Sequence, residues 1–437
     1  MEKLTHGGDI YSARERIQGE IIDFSANINP MGLPESVKTA LCNSMDLFSC
    51  YPDPLCRELV SGISAYEQIP QEMILCGNGA ADIIFRIVQA MRAKSALIPA
   101  PTFAEYEQAL TAFGCEVNYY PLKAEQDFMV LEDILEYIHP STGIVFLCNP
   151  NNPTGQLIDR ELLEKILARC VSCGTLLVMD ECFRDFLDDP EGNSMKGWVE
   201  SFPNLLILRA FTKHFAMPGL RLGYCLCSNP LLMERMKNCG QPWSVSVPAQ
   251  IAGVAALQDK EYWEKSKQLL KEEKEYLLSS LEAMGIHGIG SKANYIFFFL
   301  ADSECLLEKL EGQGILIRDC SNYRGLCKGY YRIAVKSHKD NEKLIQALNQ
   351  FLNPAIGEPL VAQTVRVSEH SAKILKNPTD FLNEEPPSPK CPPVPPKPKI
   401  SERIKKKFLL PEMESEAGEE EIKSLIHEIQ ITEDSIK

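Results

Sequence analysis

Short apolar runs that recur between amphipathic segments constrain the fold of this chain more than any other feature. Residues 143–148 (GIVFLC) and 205–208 (LLIL) lack the polar alternation of a strand with one solvent-exposed face. Such runs are typical of strands buried on both faces of a parallel sheet. Strands are predicted at 73–76, 95–98, 116–120, 143–148, 175–179, 205–209 and 222–227, and helices at 55–66, 82 onward, 105–113 and 159–172. This order predicts an α/β fold whose large domain contains a mostly parallel central sheet.

Polar residues border several of these predicted strands. Asn152, Asp180 and Lys213 each follow a strand within a few residues, and Arg221 lies directly before the last strand. In parallel α/β sheets, ligands bind at the edge where the strands have their carboxyl ends. We therefore expect these four residues to converge on one site, although each of them could individually be structural.

Lys213 is the most reactive candidate among the four. It lies in a mostly apolar stretch, where a buried ammonium group loses its hydration and the neutral amine is favoured. A neutral lysine is a nucleophile toward a carbonyl cofactor. Arg221, eight residues later, could bind an anion through its planar guanidinium. From this stretch alone, a surface lysine and a structural arginine are the alternative interpretation.

Glycine-rich segments indicate where anions could bind. Residues 77–81 (GNGAA) separate a predicted strand from a helix, so backbone N–H groups and the helix dipole could hold an anion there. The spacing is neither the Walker pattern nor the dinucleotide pattern. His6-Gly7-Gly8 could bring backbone N–H groups close to a ligand, and Asn27 could donate to a ligand oxygen. A floppy N-terminus and a turn cap are the alternatives for these two features.

Composition argues against several classes of function. The net charge of −15 disfavours nucleic acid as a partner. No run of 18 apolar residues and no apolar signal core occurs, which predicts no membrane association and a cytoplasmic location. The 16 cysteines are expected to be reduced thiols. Cys170/Cys173 and Cys225/Cys227 have metal-like spacing, but neither pair has a second pair nearby, so no metal site is predicted.

The pattern changes after residue 230. A smaller α/β domain is predicted from helices at 261–284 and 340–353 and strands at 294–300, 315–318 and 331–335. The predicted divisions are an N-terminal arm and substrate loop at 1–40, the large domain at 41–235, the small domain at 236–353 and a tail at 354–437. The tail is proline-rich and highly charged, which predicts disorder.

A combination of motifs resembles a known family. Asn152-Pro153-Thr154-Gly155, Asp180, Thr212-Lys213 and Arg221 occur in the order and spacing of the fold-type I, pyridoxal-phosphate-dependent aminotransferases, over residues 1–352. His6-Gly7-Gly8, the run DFSANINPMG, residues 180–183 and residues 317–322 are similar to the branch that decarboxylates threonine phosphate for cobalamin synthesis. Tyr51-Pro52-Asp53 is shared with the related histidinol-phosphate aminotransferases. The resemblance implies a pyridoxal 5′-phosphate cofactor and a homodimer.

The resemblance also implies a role for each matching residue. Lys213 would bind the cofactor covalently and transfer protons, Asp180 would pair with the pyridine nitrogen, and Asn152 would donate to the ring hydroxyl oxygen. The other cofactor contacts implied are Phe103 on the ring face, Thr212, and a phosphate site made of Ala80, Ala81, Arg221 and Tyr51 of the partner subunit. The implied substrate contacts are His6, Gly7, Gly8, Asn27, Arg318 and Arg332, of which Arg332 resembles the family's substrate-carboxylate arginine.

Two residues depart from the family pattern. Ala210 stands where a serine often donates to the cofactor phosphate, and a hydrogen bond to a charged group contributes about 1.5–3 kcal/mol. Cofactor affinity is therefore expected to fall without being lost. Phe183 stands where many aminotransferases have tyrosine, which removes one donor to the ring oxygen, as the decarboxylase pattern expects.

The resemblance implies decarboxylation of L-threonine O-3-phosphate to (R)-1-amino-2-propanol O-2-phosphate. The first alternative is a histidinol-phosphate-type aminotransferase. The second is an L-serine O-phosphate decarboxylase, because one methyl group contributes only about 1–3 kcal/mol of discrimination. A regulator that binds the cofactor without catalysis is a different class, and the intact Lys213 argues against it.

Overall fold

The computed structural model describes residues 7–353, and the predicted tail at 354–437 lies outside the described residues. The strands of the described part are β1 (Ile22–Asp23), β2 (Ile74–Gly77), β3 (Ser95–Ala100), β4 (Glu116–Pro121), β5 (Ile144–Cys148), β6 (Leu176–Asp180), β7 (Leu205–Ala210), β8 (Gly223–Leu226), β9 (Gly288–Ile289), β10 (Tyr295–Phe299), β11 (Ile315–Leu316), β12 (Arg318–Asp319) and β13 (Tyr330–Ala334). Its helices are α1 (Ile10–Arg16), α2 (Glu35–Asn43), α3 (Arg57–Glu67), α4 (Gly79–Met91), α5 (Ala104–Ala112), α6 (Ile134–Tyr137), α7 (Arg160–Cys173), α8 (Phe211–His214), α9 (Pro230–Cys239), α10 (Val247–Gln258), α11 (Lys260–Ala283), α12 (Leu306–Glu311) and α13 (His338–Leu352).

The central sheet has seven strands in the order β2-β8-β7-β6-β5-β3-β4. The neighbours from β7 to β4 pair in parallel, whereas β8 runs antiparallel to both β7 and β2. Every residue of β5 and β6 is buried, because helices cover both faces of the sheet. The predicted α/β class with a mostly parallel central sheet is confirmed.

The reversed direction of β8 determines which residues meet at one edge. Gly223, the first residue of β8, pairs with Ala210 at the end of β7 and with Gly77 at the end of β2. The chain between β7 and β8 therefore starts and ends at this edge. Lys213 lies three residues after the end of β7, and Arg221 lies two residues before the start of β8. Lys213 and Arg221 thus lie at the same edge, although the strands next to them, β7 and β8, run in opposite directions.

The smaller domain contains the antiparallel sheet β12-β13-β10-β9 and a separate parallel pair, β1 and β11. The predicted continuous strand at 315–318 is wrong, because β11 pairs with the N-terminal β1 and β12 pairs with β13. The pairing of β1 with β11 joins the N-terminal segment to this domain. A hydrophobic cluster under α11 and α13 forms the domain's core.

The sequence analysis missed seven helices of the described chain, namely α1, α2, α6, α8, α9, α10 and α12. Ala249, Ala252 and Ala256 of α10 are buried, and α10 packs against α2 and α3. Its small and apolar residues are spread around the helix, so the periodic pattern that reveals an amphipathic helix is weak.

The paired cysteines with metal-like spacing are part of the hydrophobic core. Cys170 and Cys173 lie in the cluster on one face of the central sheet, and Cys225 and Cys227 lie in the cluster on the other face. Burial raises the pKa of the Cys227 thiol to about 12. Among residues 7–353, no helix has both the length and the apolar character needed to cross a membrane.

A buried ionic network lies beneath the edge that carries Lys213. Glu181 pairs with Arg209 at 2.7 Å and also accepts hydrogen bonds from Ser194 Oγ and the Met195 N–H, each at 2.8 Å. Arg209 is 3% exposed and lies 3.8 Å from a second buried carboxylate, Glu67. Because a buried charge is costly without its partner, this network stabilises the ends of β6 and β7 only while it is complete.

Replacing Glu181 by alanine is expected to lower the free energy of unfolding by about 3–5 kcal/mol, since Arg209 would lose its closest carboxylate. Urea unfolding of the purified variant measures this loss. Glu132→Ala is the control, because Glu132 forms an exposed pair with Lys165 and such pairs contribute only about 0–1 kcal/mol. Equal losses in the two variants would contradict the importance assigned to the buried network.

Candidate active site

Lys213 lies in α8, directly after β7. Its backbone is fixed by the segment that precedes α2, because the Asn29 N–H donates to the Lys213 carbonyl at 3.2 Å and Asn29 Nδ2 donates to the His214 carbonyl at 2.8 Å. Lys213 Nζ lies 5.8 Å from the centroid of the Phe183 ring. Loss of hydration, with added repulsion from Arg332, lowers the pKa of Lys213 to about 8. The amine is thus readily available in its neutral form.

Asp180, the last residue of β6, is 4% exposed and is held by two donors. The Tyr106 hydroxyl donates to Oδ2 at 2.5 Å, and the Cys182 N–H donates to Oδ1 at 3.0 Å. These contacts fix the orientation of the carboxylate. The sequence analysis missed Tyr106. The available signal was its place on one helical face with Phe103, three residues earlier.

Asn152 and Arg332 are joined directly. Arg332 Nη1 donates to Asn152 Oδ1, and the Tyr323 hydroxyl lies 3.5 Å from the same oxygen. Arg332 Nη2 donates to the Ser25 carbonyl at 2.8 Å. Because Oδ1 of Asn152 is the acceptor in these contacts, its Nδ2 group is oriented to donate to a ligand.

Arg221 lies against the first turn of α4. A Cβ atom at Gly79 would lie 2.6 Å from Arg221 Nη2, so a side chain there would displace the guanidinium from this position. Gly79 also has a positive φ of +80°, which favours glycine. A Cβ atom at Gly223 would lie 2.6 Å from the Ala80 nitrogen, so β8 packs equally closely on this turn. A helix N-terminus with an adjacent guanidinium is suited to a phosphate group.

Of the other predicted cofactor contacts, four lie next to the strand ends of the central sheet, and Tyr51 lies in an exposed segment. Phe103 is the residue before α5, and Thr212 is buried in α8 next to Lys213. Ala80 and Ala81 lie in the first turn of α4. Tyr51 is 80% exposed, and its ring stacks on Trp243 at a centroid distance of 4.7 Å. The contact described for Tyr51 within its own protomer is thus with Trp243 and not with a residue of the site.

The predicted substrate contacts are mostly polar groups in buried positions. Asn27 is 2% exposed, and its Oδ1 has no hydrogen-bond partner among residues 7–353. Arg318 is 8% exposed, donates to Asn322 Oδ1 at 2.8 Å, and lies 5.3 Å from the Tyr323 ring centroid. Gly7 and Gly8 contact Ser25. His6 lies outside the described residues.

Glu105, in the first turn of α5, is a second residue that the sequence analysis missed. Burial raises the pKa of its carboxyl to about 7, although the charges of Lys213 and Arg221 oppose this shift. A carboxyl with this pKa titrates near neutral pH, beside the charged groups of the site. Its position two residues after Phe103 was the only signal available in the sequence.

These residues fit a pyridoxal 5′-phosphate molecule. The amine of Lys213 matches the aldehyde, the Asp180 carboxylate matches the pyridine nitrogen, and the turn at Gly79 beside Arg221 matches the phosphate. Arg332 Nε is buried without a hydrogen-bond partner in the described part of the chain, as is Asn27 Oδ1, so both atoms are suited to bind a polar ligand. Ala210 ends β7 and brings no hydroxyl group to the phosphate side.

Comparison with known proteins agrees with an enzyme that uses pyridoxal 5′-phosphate. The family model for class I and II aminotransferases matches residues 19–348. The chain therefore belongs to this family, its fold is that of the fold-type I enzymes, and its cofactor is pyridoxal 5′-phosphate.

Within this family, the chain is similar to two kinds of enzyme. The chain is 38% identical to threonine-phosphate decarboxylase from Salmonella typhimurium, over 79% of this chain and 96% of that protein. The structure of L-threonine-O-3-phosphate decarboxylase from Porphyromonas gingivalis has a TM-score of 0.68 and 27% identity, and the match covers 76% of this chain and 99% of that one. The histidinol-phosphate aminotransferase from Clostridium acetobutylicum has a TM-score of 0.71 and 30% identity, with coverages of 76% and 98%.

The lowered pKa of Lys213 gives a testable pH dependence. In cofactor-free protein, the rate of covalent reaction with pyridoxal 5′-phosphate is expected to rise with pH around a midpoint of about 8, because only the neutral amine attacks. With this pKa, roughly a tenth of the lysine is already neutral at pH 7. Borohydride trapping and mass spectrometry locate the adduct, and Lys213→Ala is the control. A midpoint near 10.5, the ordinary lysine value, would contradict the burial argument.

Proposed function

We propose that this chain is a pyridoxal-phosphate-dependent decarboxylase that converts L-threonine O-3-phosphate into (R)-1-amino-2-propanol O-2-phosphate and carbon dioxide. The observation that carries the proposal is the 38% identity to threonine-phosphate decarboxylase from Salmonella typhimurium across 96% of that enzyme. The pair of buried arginines, Arg318 and Arg332, supports it, because the substrate carries both a phosphate and a carboxylate.

Orientation of the substrate decides which bond to Cα breaks. When bound, the cofactor accepts the electron pair of whichever Cα bond is perpendicular to its ring. Arg318 and Arg332 come from β12 and β13 of the smaller domain, and Asn27 comes from the N-terminal segment. By binding the anionic groups of the substrate, these side chains can hold the carboxylate in the perpendicular position. Binding energy from such remote groups is thereby used for orientation.

Lys213 supplies the proton that the reaction requires. Loss of carbon dioxide leaves an electron pair at Cα, and the product forms when a proton replaces the lost carboxylate. A lysine with a pKa of about 8 exchanges protons readily near neutral pH. The buried carboxylate of Asp180, held by Tyr106, complements the positive charge of the site.

A histidinol-phosphate aminotransferase is the second candidate. The structure of the Clostridium acetobutylicum enzyme of that name has a TM-score of 0.71 with this chain, so the fold suits either reaction. Phe183 favours the decarboxylase, because many aminotransferases have a tyrosine at this position that donates to the ring oxygen. L-Serine O-phosphate is a possible further substrate, since it lacks only one methyl group.

Carbon dioxide release from L-threonine O-3-phosphate is the expected result when purified protein is incubated with pyridoxal 5′-phosphate. The release is expected to disappear in Lys213→Ala. L-Serine O-phosphate is expected to react at least about tenfold more slowly than L-threonine O-3-phosphate, because the missing methyl group removes binding energy. Absence of release, together with amino transfer from histidinol phosphate to 2-oxoglutarate, would reject the decarboxylase and support the second candidate.

We also infer a homodimer. A cluster of exposed apolar side chains, here called the aromatic patch, covers the segment from Met45 to Leu55 and Trp243. Its members are Met45, Leu47, Phe48, Tyr51, Leu55 and Trp243. A concentration of exposed apolar side chains in one segment, with Trp243 packed on Tyr51, is typical of a subunit interface. A second copy at this patch would allow Tyr51 of the partner subunit to reach the phosphate side of the site, as the family resemblance implies.

Leu55→Glu is expected to convert the dimer into monomers, because a buried carboxylate without a partner is costly in an interface. It is also expected to weaken cofactor binding, since the contact from the partner subunit is lost. Light scattering after size-exclusion chromatography gives the mass, and cofactor titration gives the affinity. Tyr137→Glu is the matched control, an exposed aromatic residue outside the patch. A monomeric wild-type protein would reject the proposal.

A cytoplasmic location is part of the same proposal. The 15 cysteines among the described residues are free thiols. Thiols persist in reducing compartments, whereas oxidising compartments favour disulfides. The thiol content is the observation that supports this location.

A further inference from the structure

Ser25 lies where three segments meet next to Arg332. Its Oγ accepts a hydrogen bond from the Gly8 N–H at 2.7 Å and donates one to Asp23 Oδ1 at 2.6 Å. Its carbonyl accepts from Arg332 Nη2 at 2.8 Å. Ser25 is 7% exposed, so these hydrogen bonds are largely shielded from competing water. One residue thus connects the N-terminal glycines to an arginine of the site.

The segment that carries Ser25 is fixed on both sides. On one side, the Phe24 N–H donates to the Leu316 carbonyl at 2.7 Å, and the Ala334 N–H donates to the Phe24 carbonyl at 2.8 Å. On the other side, Asn29 is hydrogen-bonded to the backbone of α8, which carries Lys213. The hydroxyl of Ser25 is therefore a rigid point to which a more loosely held segment can attach.

Gly7 packs directly on the carbonyl that Arg332 binds. A Cβ atom at Gly7 would lie 2.4 Å from the Ser25 carbonyl oxygen, which no side chain can tolerate. Gly8 has a φ of +90°, a conformation that side chains disfavour. The two glycines therefore allow the chain to turn closely over Ser25 and Arg332. Beyond them, the far end of α1 is held by an ion pair between Arg16 and Glu311 at 2.6 Å.

We propose that Ser25 is a positioning residue for the substrate: its hydroxyl holds the turn at Gly7 and Gly8 against Arg332, and this turn closes the pocket around an anionic group of the substrate. Asp23 orients the hydroxyl so that its oxygen faces Gly8. The ligand class is the phosphate or carboxylate of a phosphorylated amino acid. The inference rests on the proposed function for the identity of the substrate, but the contact itself does not depend on that identity.

Ser25→Ala in the full-length, cofactor-loaded enzyme tests the proposal. The variant keeps the hydrogen bond from the backbone N–H of residue 25 to Asp23 Oδ1, which is 2.8 Å long, and it keeps the carbonyl that Arg332 binds. The Gly8 N–H loses its acceptor, and the hydroxyl's own hydrogen bond to Asp23 Oδ1 is lost with it. The KM for L-threonine O-3-phosphate is expected to rise about tenfold, the weight of one buried hydrogen bond, with kcat unchanged within about twofold.

Two further variants distinguish positioning from general destabilisation. Gly7→Ala is expected to reproduce the rise in KM, because its Cβ would displace the turn from Ser25 while leaving the hydroxyl in place. Arg16→Gln, which breaks only the outer ion pair of α1, is expected to leave KM unchanged. An equal rise in KM for Arg16→Gln would assign the effect to the whole arm and overturn the role of Ser25.

Amide hydrogen exchange provides a readout that needs no turnover. The peptide that spans residues 7–16 is expected to exchange faster in Ser25→Ala than in the wild-type enzyme, since the Gly8 N–H loses its acceptor. Equal exchange in the two proteins would overturn the inference. Failure of the proposed function has a different result, namely no carbon dioxide release by the wild-type enzyme, so the two failures can be told apart.

Discussion

The burial of the Lys213 amine is the constraint on which the rest of the site depends. A lysine in bulk water is almost fully protonated near neutral pH, and the surroundings of α8 remove that hydration. The charges of the groups around Lys213 act on its ammonium form in opposite directions. Arg332 and Arg221 disfavour a further positive charge, while Glu105 favours it. The result is an amine whose charge can be changed by a ligand at little cost.

Much of the site could be predicted from local sequence, because the strand ends are local features. Asp180 and Lys213 follow apolar strands directly, and a parallel sheet brings such strand ends together. Tyr106 and Ser25 could not be found in this way. Their partners are 74 and 17 residues distant in the sequence, and only the fold brings them into contact. The division between β11 and β12 was missed for the same reason, since each strand is defined by a partner that lies elsewhere in the chain.

The N-terminal segment links the two parts of the molecule. It contributes β1 to the smaller domain, and a few residues later Asn29 binds the backbone around Lys213. Arg332, from the smaller domain, in turn binds Asn152 beside the central sheet. Arg332 and Lys213 are thus both hydrogen-bonded to the N-terminal segment, Arg332 to the Ser25 carbonyl and the Lys213 carbonyl to the Asn29 N–H. Any movement of one domain relative to the other would be transmitted to both residues together.

The reversal of β8 has a consequence for how such a site can evolve. Because Ala210 and Gly223 are paired, the intervening chain is a loop closed at its base, and both Lys213 and Arg221 lie within it. The amine and the guanidinium are consequently carried by one loop, which also contacts the N-terminal segment at α8 and the first turn of α4. The closed base of the loop keeps both groups at the same edge of the sheet. Substrate preference can then diverge in the smaller domain while this loop stays unchanged.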